Sequence, residues 1–364
     1  MNGYFYILTT IDLFVLSFMC ILTKVSESLN YKQKRGFFFA FILIAGISLL
    51  EVVTIVVDGA PAEYRWLNIL SNYLGFGLSP AVALCLTYAL DKKLRIKLKM
   101  KIAIYCEILY LIFLAVSIPS GIVFSVSKDN FYARGPYFYI YVLMYFATIV
   151  YLSSSTIITS KDYQNRSRTL IYPLIFFLIA ETFIQVALPY LHVTWLCVTL
   201  LSVVYFIYCN EMWTQLDSLT GLLNQNSYLN RTTEMKRTGG LLIVFDVDDF
   251  KKVNDVYGHL KGDVCLYEIA GCIKKAYANY GYCYRIGGDE FCVLLKNTNQ
   301  KDQCLQMFIK LLEARRSELE FIPTVSFGSS TFSGEDILTI KDRADQDMYR
   351  FKKARKEKTT EFIS

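Results

Sequence analysis

Tyr282-Cys283-Tyr284-Arg285-Ile286-Gly287-Gly288-Asp289-Glu290-Phe291-Cys292-Val293-Leu294-Leu295 is the stretch whose reading decides the fold of the C-terminal part of the chain. Two runs rich in aromatic and aliphatic residues, 282–286 and 291–295, flank four residues suited to a tight turn, which is the pattern of a β-hairpin. Working outward, 241–245 reads as a buried strand that ends in the acid Asp246. Helices are expected over 250–257, 263–278, 300–316 and 337–356, with a further strand over 324–330. Strands alternating with amphipathic helices predict one α/β sandwich with the hairpin at its centre.

The chemistry follows from where the acids fall. Asp246 closes a strand and Asp289 sits at the hairpin tip. If those strands are neighbours, the two carboxylates converge on one site for a hard cation, which suits Mg²⁺ and a nucleoside triphosphate. The pair Gly287-Gly288 offers no Cβ, so backbone can approach a bulky phosphate closely. Lys251, one turn into the next helix, is placed to meet charge developing on a transferring phosphoryl group. An Asp such as Asp263 accepts from guanine N1–H and N2–H, and an Asn such as Asn254 donates to O6, so the pair suits a guanine edge.

At these residues a resemblance enters. Gly287-Gly288-Asp289-Glu290-Phe291 resembles the name-giving motif of the GGDEF family of diguanylate cyclases. The run from Asp217-Ser218-Leu219-Thr220-Gly221 to Asn224 resembles its opening motif, and the run from Phe245-Asp246-Val247 to Asn254-Asp255 its metal and substrate motif. Gly258-His259, Gly262-Asp263, Thr324-Val325-Ser326-Phe327-Gly328 and the segment from Asp345 to Lys352 continue the series in order. The resemblance implies an antiparallel sheet flanked by helices, of nucleotidyl-cyclase or polymerase-palm type, condensing two GTP into cyclic di-GMP. It implies that Asp246, Asp289 and the Val247 carbonyl hold Mg²⁺, with Mn²⁺ as a substitute. Asp289 then also serves as base for the 3′-hydroxyl, Lys251 stabilises the pentavalent phosphorus, Asn254, His259 and Asp263 bind the guanine nucleotide, and Lys352 contacts phosphate. It further implies a homodimer with facing domains, since each domain carries half of a reaction centre.

The departures are specific. Asn224 is followed by Gln225 where the family usually has Arg, and Phe351-Lys352 is followed by Arg355-Lys356 where it usually has Gly-Arg, leaving Lys356 as a substitute phosphate contact. The product-inhibition motif Arg-x-x-Asp is absent, its place being taken by Ala278, Asn279, Tyr280 and Gly281.

The rest of the chain has a different character. Hydrophobic residues make up 54% of the 364 and charged residues 19%, fewer than the quarter or so of a soluble domain. Up to Trp213 there are 16 Lys and Arg against 11 acids, and beyond it 22 against 21. Seven apolar stretches, 3–22, 36–57, 66–90, 102–118, 137–158, 169–188 and 191–209, are each about long enough to cross a hydrocarbon layer of roughly 30 Å. Basic residues crowd the odd loops, with Lys24, Lys32, Lys34 and Arg35 after the first span, 92–101 after the third, and Lys161, Arg166 and Arg168 after the fifth. Basic loops stay inside, which places the N-terminus outside and the C-terminal domain in the cytoplasm beneath the plasma (inner) membrane. The expected organisation is therefore a seven-helix transmembrane sensor region over 1–209, a helical linker over 210–216 and a GGDEF domain over 217–364.

Net charge of +6 sits largely in these loops, so it argues for membrane orientation and against nucleic acid as a partner. The ten cysteines form no Cys-x-x-Cys pair and read as reduced core residues. The first apolar stretch lacks a basic leader and a processing site and reads as a retained anchor. Four acids fall within spans, and acids there are functional candidates by default. Glu51 and Glu181 are read as members of a signal-sensing cavity, ahead of Asp12 and Glu107, and His192 as an interfacial residue. Other readings of the whole are a catalytically silent nucleotide-binding GGDEF sensor and a transporter or receptor with a structural tail. The intact glycine and acid motif disfavours both.

Overall fold

The computed structural model describes residues 3–90, 98–187, 193–235 and 239–361. The chain divides into two compact units, Met1–Trp213 and Thr214–Ser364.

The first unit is built from helices α1 (Gly3–Val25), α2 (Tyr31–Val57), α3 (Arg65–Leu90), α4 (Leu98–Ser117), α5 (Tyr139–Asp162), α6 (Ile171–Ala187) and α7 (Thr194–Thr214). Among the described residues six of them, all but α6, are long and apolar enough to cross a membrane. The expected count of seven is therefore not confirmed, since the described part of α6 is apolar but shorter than the other six. A 3₁₀ turn, Arg166–Leu170, precedes it, and its 17 described residues cover about 25 Å at roughly 1.5 Å per residue, with 188–192 outside the described residues. His192 and the basic run 91–97 lie outside the described residues, as does the side chain of Glu181. The other acids differ in burial. Asp12 and Glu107 are buried, whereas Glu51 is half-buried.

The loop between α4 and α5 holds a small hairpin, β1 (Phe124–Val126) and β2 (Tyr132–Arg134), which the apolar pattern did not announce. Asn130, fully buried with φ of +64°, fastens it by donating from Nδ2 to the carbonyls of Val57 at 2.7 Å and Ala60 at 3.0 Å. Asn tolerates this left-handed backbone because its short side chain bonds locally.

The second unit contains α8 (Gln225–Met235), β3 (Gly240–Val247), α9 (Phe250–Tyr257), α10 (His259–Tyr277), β4 (Gly281–Arg285), β5 (Glu290–Leu295), α11 (Lys301–Glu318), β6 (Val325–Phe332) and α12 (Ile337–Glu361). Its four strands are antiparallel in the order β4-β5-β3-β6. The hairpin is therefore not at the centre as expected. β3 pairs on both sides, with β5 and β6, which pushes β4 to an edge. Alternate residues Leu241, Ile243, Phe245 and Val247 of β3 join Ile269, Ile273, Tyr277 and Phe308 in one core beneath α10 and α11. The α10 helix begins at His259, four residues earlier than expected, directly after Gly258 (φ +80°) ends α9.

Candidate active site

The strand adjacency on which the chemistry depended is present. Asp246 at the end of β3 pairs in register with Glu290 at the start of β5, and the Val247 amide donates to the Asp289 carbonyl at 3.3 Å. This brings the Asp246 and Asp289 carboxyls into electrostatic contact. Burial pushes the Asp289 carboxyl above its ordinary range, and the charges of Asp246 and Glu290 add to that against the opposing pull of its own amide and of Lys352.

Lys352 projects from α12 and bonds Asp246 Oδ2 at 2.6 Å, with Asp248 Oδ1 at 3.3 Å. Partial burial draws the Lys352 ammonium down, but the bond and charge of Asp246, with Asp248, outweigh it and leave its pKa raised. Asp248 is itself held from β6 and the residue before it, by Thr324 Oγ1 and Ser326 Oγ, each at 2.7 Å. The approach of α12 depends on Gly328, where a Cβ would lie 2.2 Å from both the Ala344 carbonyl oxygen and the Met348 amide nitrogen. A side chain there would push away the helix that carries Lys352.

Helix α9, which carries Asn254, and helix α10, which carries Asp263, meet in a second close approach. A Cβ on Gly262 would lie 2.0 Å from Asn254 Oδ1, so this glycine makes the room in which the Asn254 side chain rests. His259 and Asp263 are exposed on the first turns of α10, and Lys251 is exposed on the first turn of α9. The side chain of Lys356 lies outside the described residues.

Sequence reasoning overlooked Arg285. Its Nη2 and Nε donate to the Gly288 carbonyl at 2.7 and 3.2 Å, and its Nη1 pairs with Asp217 Oδ1 at 3.2 Å. Asp217 also accepts from the Thr220 amide at 2.8 Å and hydroxyl at 2.6 Å. Burial pushes the Asp217 carboxyl up, but the Thr220 bonds and the Arg285 guanidinium prevail and hold it below the ordinary carboxylate range. The opening motif is thus tied to the tip of the hairpin. Leu223 reinforces the tie, its amide donating to the Cys283 carbonyl and its carbonyl accepting from the Arg285 amide. Asn224 continues it backward, donating from Nδ2 to the carbonyl of Thr214, the last residue of α7, at 2.8 Å. The available signal was a lone cation closing an otherwise uncharged strand.

Two carboxylates and the neighbouring Val247 carbonyl make a set of hard oxygen donors. Their mutual repulsion, already drawing in the Lys352 ammonium, is what a divalent cation relieves. Magnesium is commonly held by one or two carboxylates with phosphate oxygens completing its shell, so the residues fit it, and Mn²⁺ equally.

An antiparallel α/β domain with paired acids at a strand end and a glycine-rich hairpin tip defines a nucleotide-handling class. The comparisons narrow it. Residues 214–358 match the family model described as diguanylate cyclase, GGDEF domain, so the C-terminal unit is a GGDEF domain. Over 155 residues the chain is 37% identical to diguanylate cyclase DgcP of Pseudomonas aeruginosa, covering 38% of this chain and 22% of that one. It is 32% identical over 158 residues to diguanylate cyclase DgcZ of Escherichia coli, covering 41% and 53%. The chain thus spans from about a fifth to about half of the length of these curated relatives. A solved GGDEF domain of DgcB from Caulobacter crescentus, in complex with c-di-GMP, is 27% identical, covers 38% of this chain and 91% of that one, and has a TM-score of 0.35.

Proposed function

We propose that this protein is a membrane-bound diguanylate cyclase that condenses two GTP into cyclic di-GMP and pyrophosphate. The observation that carries the reading is the meeting of Asp246 and Asp289 across the β3–β5 pair, within a GGDEF domain. Asp246, Asp289 and the Val247 carbonyl hold Mg²⁺ or Mn²⁺, which supplies charge neutralisation on the triphosphate. Asp289, with its proton affinity raised, accepts the proton of the 3′-hydroxyl. Lys251 and Lys352 meet the phosphate charge from α9 and α12. Asn254 and Asp263 read the guanine edge, and His259 lies beside them at the start of α10.

Each domain binds one GTP, so two copies of the chain face each other to bring the 3′-hydroxyl of one nucleotide to the α-phosphate of the other. The helices of the first unit lie in the plasma membrane with the N-terminus outside and the GGDEF domain in the cytoplasm, as the basic loops support. A signal taken up among those helices governs the facing of the two domains through α7, whose last residue Asn224 binds. The purified full chain in lipid nanodiscs, given GTP and Mg²⁺, is expected to yield cyclic di-GMP and two pyrophosphates per product by chromatography. Absence of product, with GTP bound and the protein folded, contradicts the reading.

A further inference from the structure

The first unit buries two acids without well-formed hydrogen bonds, Asp12 and Glu107, and around Asp12 side chains of three helices meet. Asp12 of α1 is 1% exposed, and among the described residues neither of its carboxylate oxygens has a well-formed hydrogen bond, although the hydroxyls of Ser48 and Thr199 lie within reach to donate to it. Its polar neighbours are the hydroxyls of Ser48 on α2 and Thr199 on α7, with the Glu51 carboxyl of α2 within electrostatic range. Ser48 and Thr199 are 2% and 0% exposed, and the Thr199 Oγ1 is likewise without a partner. Four oxygens that can donate electron pairs, on three side chains each more than nine-tenths buried, are thus gathered in an apolar setting.

Position along the helices agrees with a common depth. At roughly 1.5 Å per residue, Asp12 lies about 14 Å from the start of α1, Ser48 about 14 Å from the end of α2, and Thr199 about 8 Å from the start of α7. In the orientation proposed above all three ends face outside. An orphan carboxylate at such a depth is costly and asks for a partner.

We infer that Asp12, Ser48, Glu51 and Thr199 form a binding site for a small monovalent cation of the Na⁺ class, toward the outer ends of these helices. A single ion coordinated by oxygen satisfies both Asp12 oxygens and Thr199 Oγ1 at once, and offsets one of two neighbouring negative charges. Occupancy ties α7 to α1 and α2 near its outer end. Lower down, α7 is already fixed, since Tyr205 bonds Thr156 and Tyr208 bonds Ser160 of α5. The ion therefore biases the helix that leads into the GGDEF domain. This regulatory role rests on the cyclase reading, whereas binding of the ion does not.

The test uses the full chain in nanodiscs at constant ionic strength, with choline chloride replaced stepwise by sodium chloride. Bound ²²Na⁺ and the thermal midpoint are read for the wild type, Asp12→Asn and Thr199→Val, each first checked as monodisperse. The expected result is saturable ²²Na⁺ binding with a rise in midpoint, abolished in Asp12→Asn and shifted at least tenfold in concentration in Thr199→Val. No saturable binding by the wild type, or undiminished binding by Asp12→Asn, overturns the site. A midpoint that follows pH identically in sodium and choline overturns it in favour of a proton. If Asp12→Asn fails to fold, Thr199→Val with unaltered binding is sufficient to refute it. In a parallel arm, sodium is expected to change cyclic di-GMP production at least twofold in the wild type and not in Asp12→Asn. Binding without any such change removes the regulatory half, and no product under any condition counts against the cyclase reading alone.

Discussion

Replacing Arg285 by Ala separates the fastening of the catalytic hairpin from its chemistry. The guanidinium makes two bonds to the Gly288 carbonyl and one ion pair to Asp217, with side-chain exposures of 15% for Arg285 and 21% for Asp217. Hydrogen bonds to charged groups contribute about 1.5–3 kcal/mol each. The two bonds share one acceptor, and the ion pair is partly open to solvent and contributes about 1 kcal/mol or less. Asp217 keeps both Thr220 bonds, so its carboxylate is not orphaned. The net loss is then about 2–3 kcal/mol. For a unit of this size that lowers the thermal midpoint by roughly 4–12 °C, at about 2–4 °C per kcal/mol. Because the Gly288 carbonyl precedes Asp289, the hairpin tip also loosens, and turnover should fall at least tenfold. Scanning calorimetry of the full chain isolates the transition of the GGDEF unit. The pH dependence adds a signature. Asp217 has a depressed folded-state pKa, so its contribution is fully present above the unfolded value of about 3.9 and is lost as pH falls through the folded value. The difference between wild type and variant should therefore shrink in acid, below about pH 4. A midpoint unchanged within a degree, with normal turnover, would refute the fastening role.

The remaining expectations are briefer. Gly262→Ala sets a Cβ 2.0 Å from Asn254 Oδ1 and should raise the KM for GTP several-fold with a smaller effect on kcat, as steady-state kinetics will report. Asp289→Asn should raise the thermal midpoint at neutral pH without metal while abolishing synthesis, because a carboxyl with a raised pKa is strained when ionised; a lower midpoint contradicts this. With GTP and ATP supplied together, Asp263 should keep mixed cyclic dinucleotides to a trace, since ATP offers no donor at N1. Lacking Arg-x-x-Asp at 278–281, the domain should show no non-competitive inhibition by low micromolar cyclic di-GMP in initial-rate assays.

Local pattern carried some parts of this molecule and not others. The strand ending at Asp246, the hairpin around Gly287-Gly288 and most helix limits follow from short-range periodicity, and they emerge within a few residues of expectation. The placing of β4 at the sheet edge does not, because it depends on β6 pairing with β3 across about 80 residues of sequence. The α8 helix was missed because Gln225–Met235 is polar and starts from the Asn224 cap, not from an apolar stripe. Arg285 and Asp248 acquire their roles only through partners far along the chain, Asp217 in one case and Thr324, Ser326 and Lys352 in the other. Among the acids of the first unit, sequence shows that Asp12 lies in an apolar run but not that α2 and α7 close over it.

The convergence of Asp246 and Asp289 on one metal-dependent reaction is tested most directly by single-residue replacement in the full chain. Wild type, Asp246→Ala and Asp289→Ala in nanodiscs, matched for folding by circular dichroism, are given GTP over a Mg²⁺ titration, and cyclic di-GMP is quantified by mass spectrometry. The expected result is Mg²⁺-dependent product from the wild type and a loss of at least a thousandfold in each variant, equal to about 4 kcal/mol of transition-state stabilisation. A folded variant of either kind that makes cyclic di-GMP within tenfold of the wild-type rate contradicts the account.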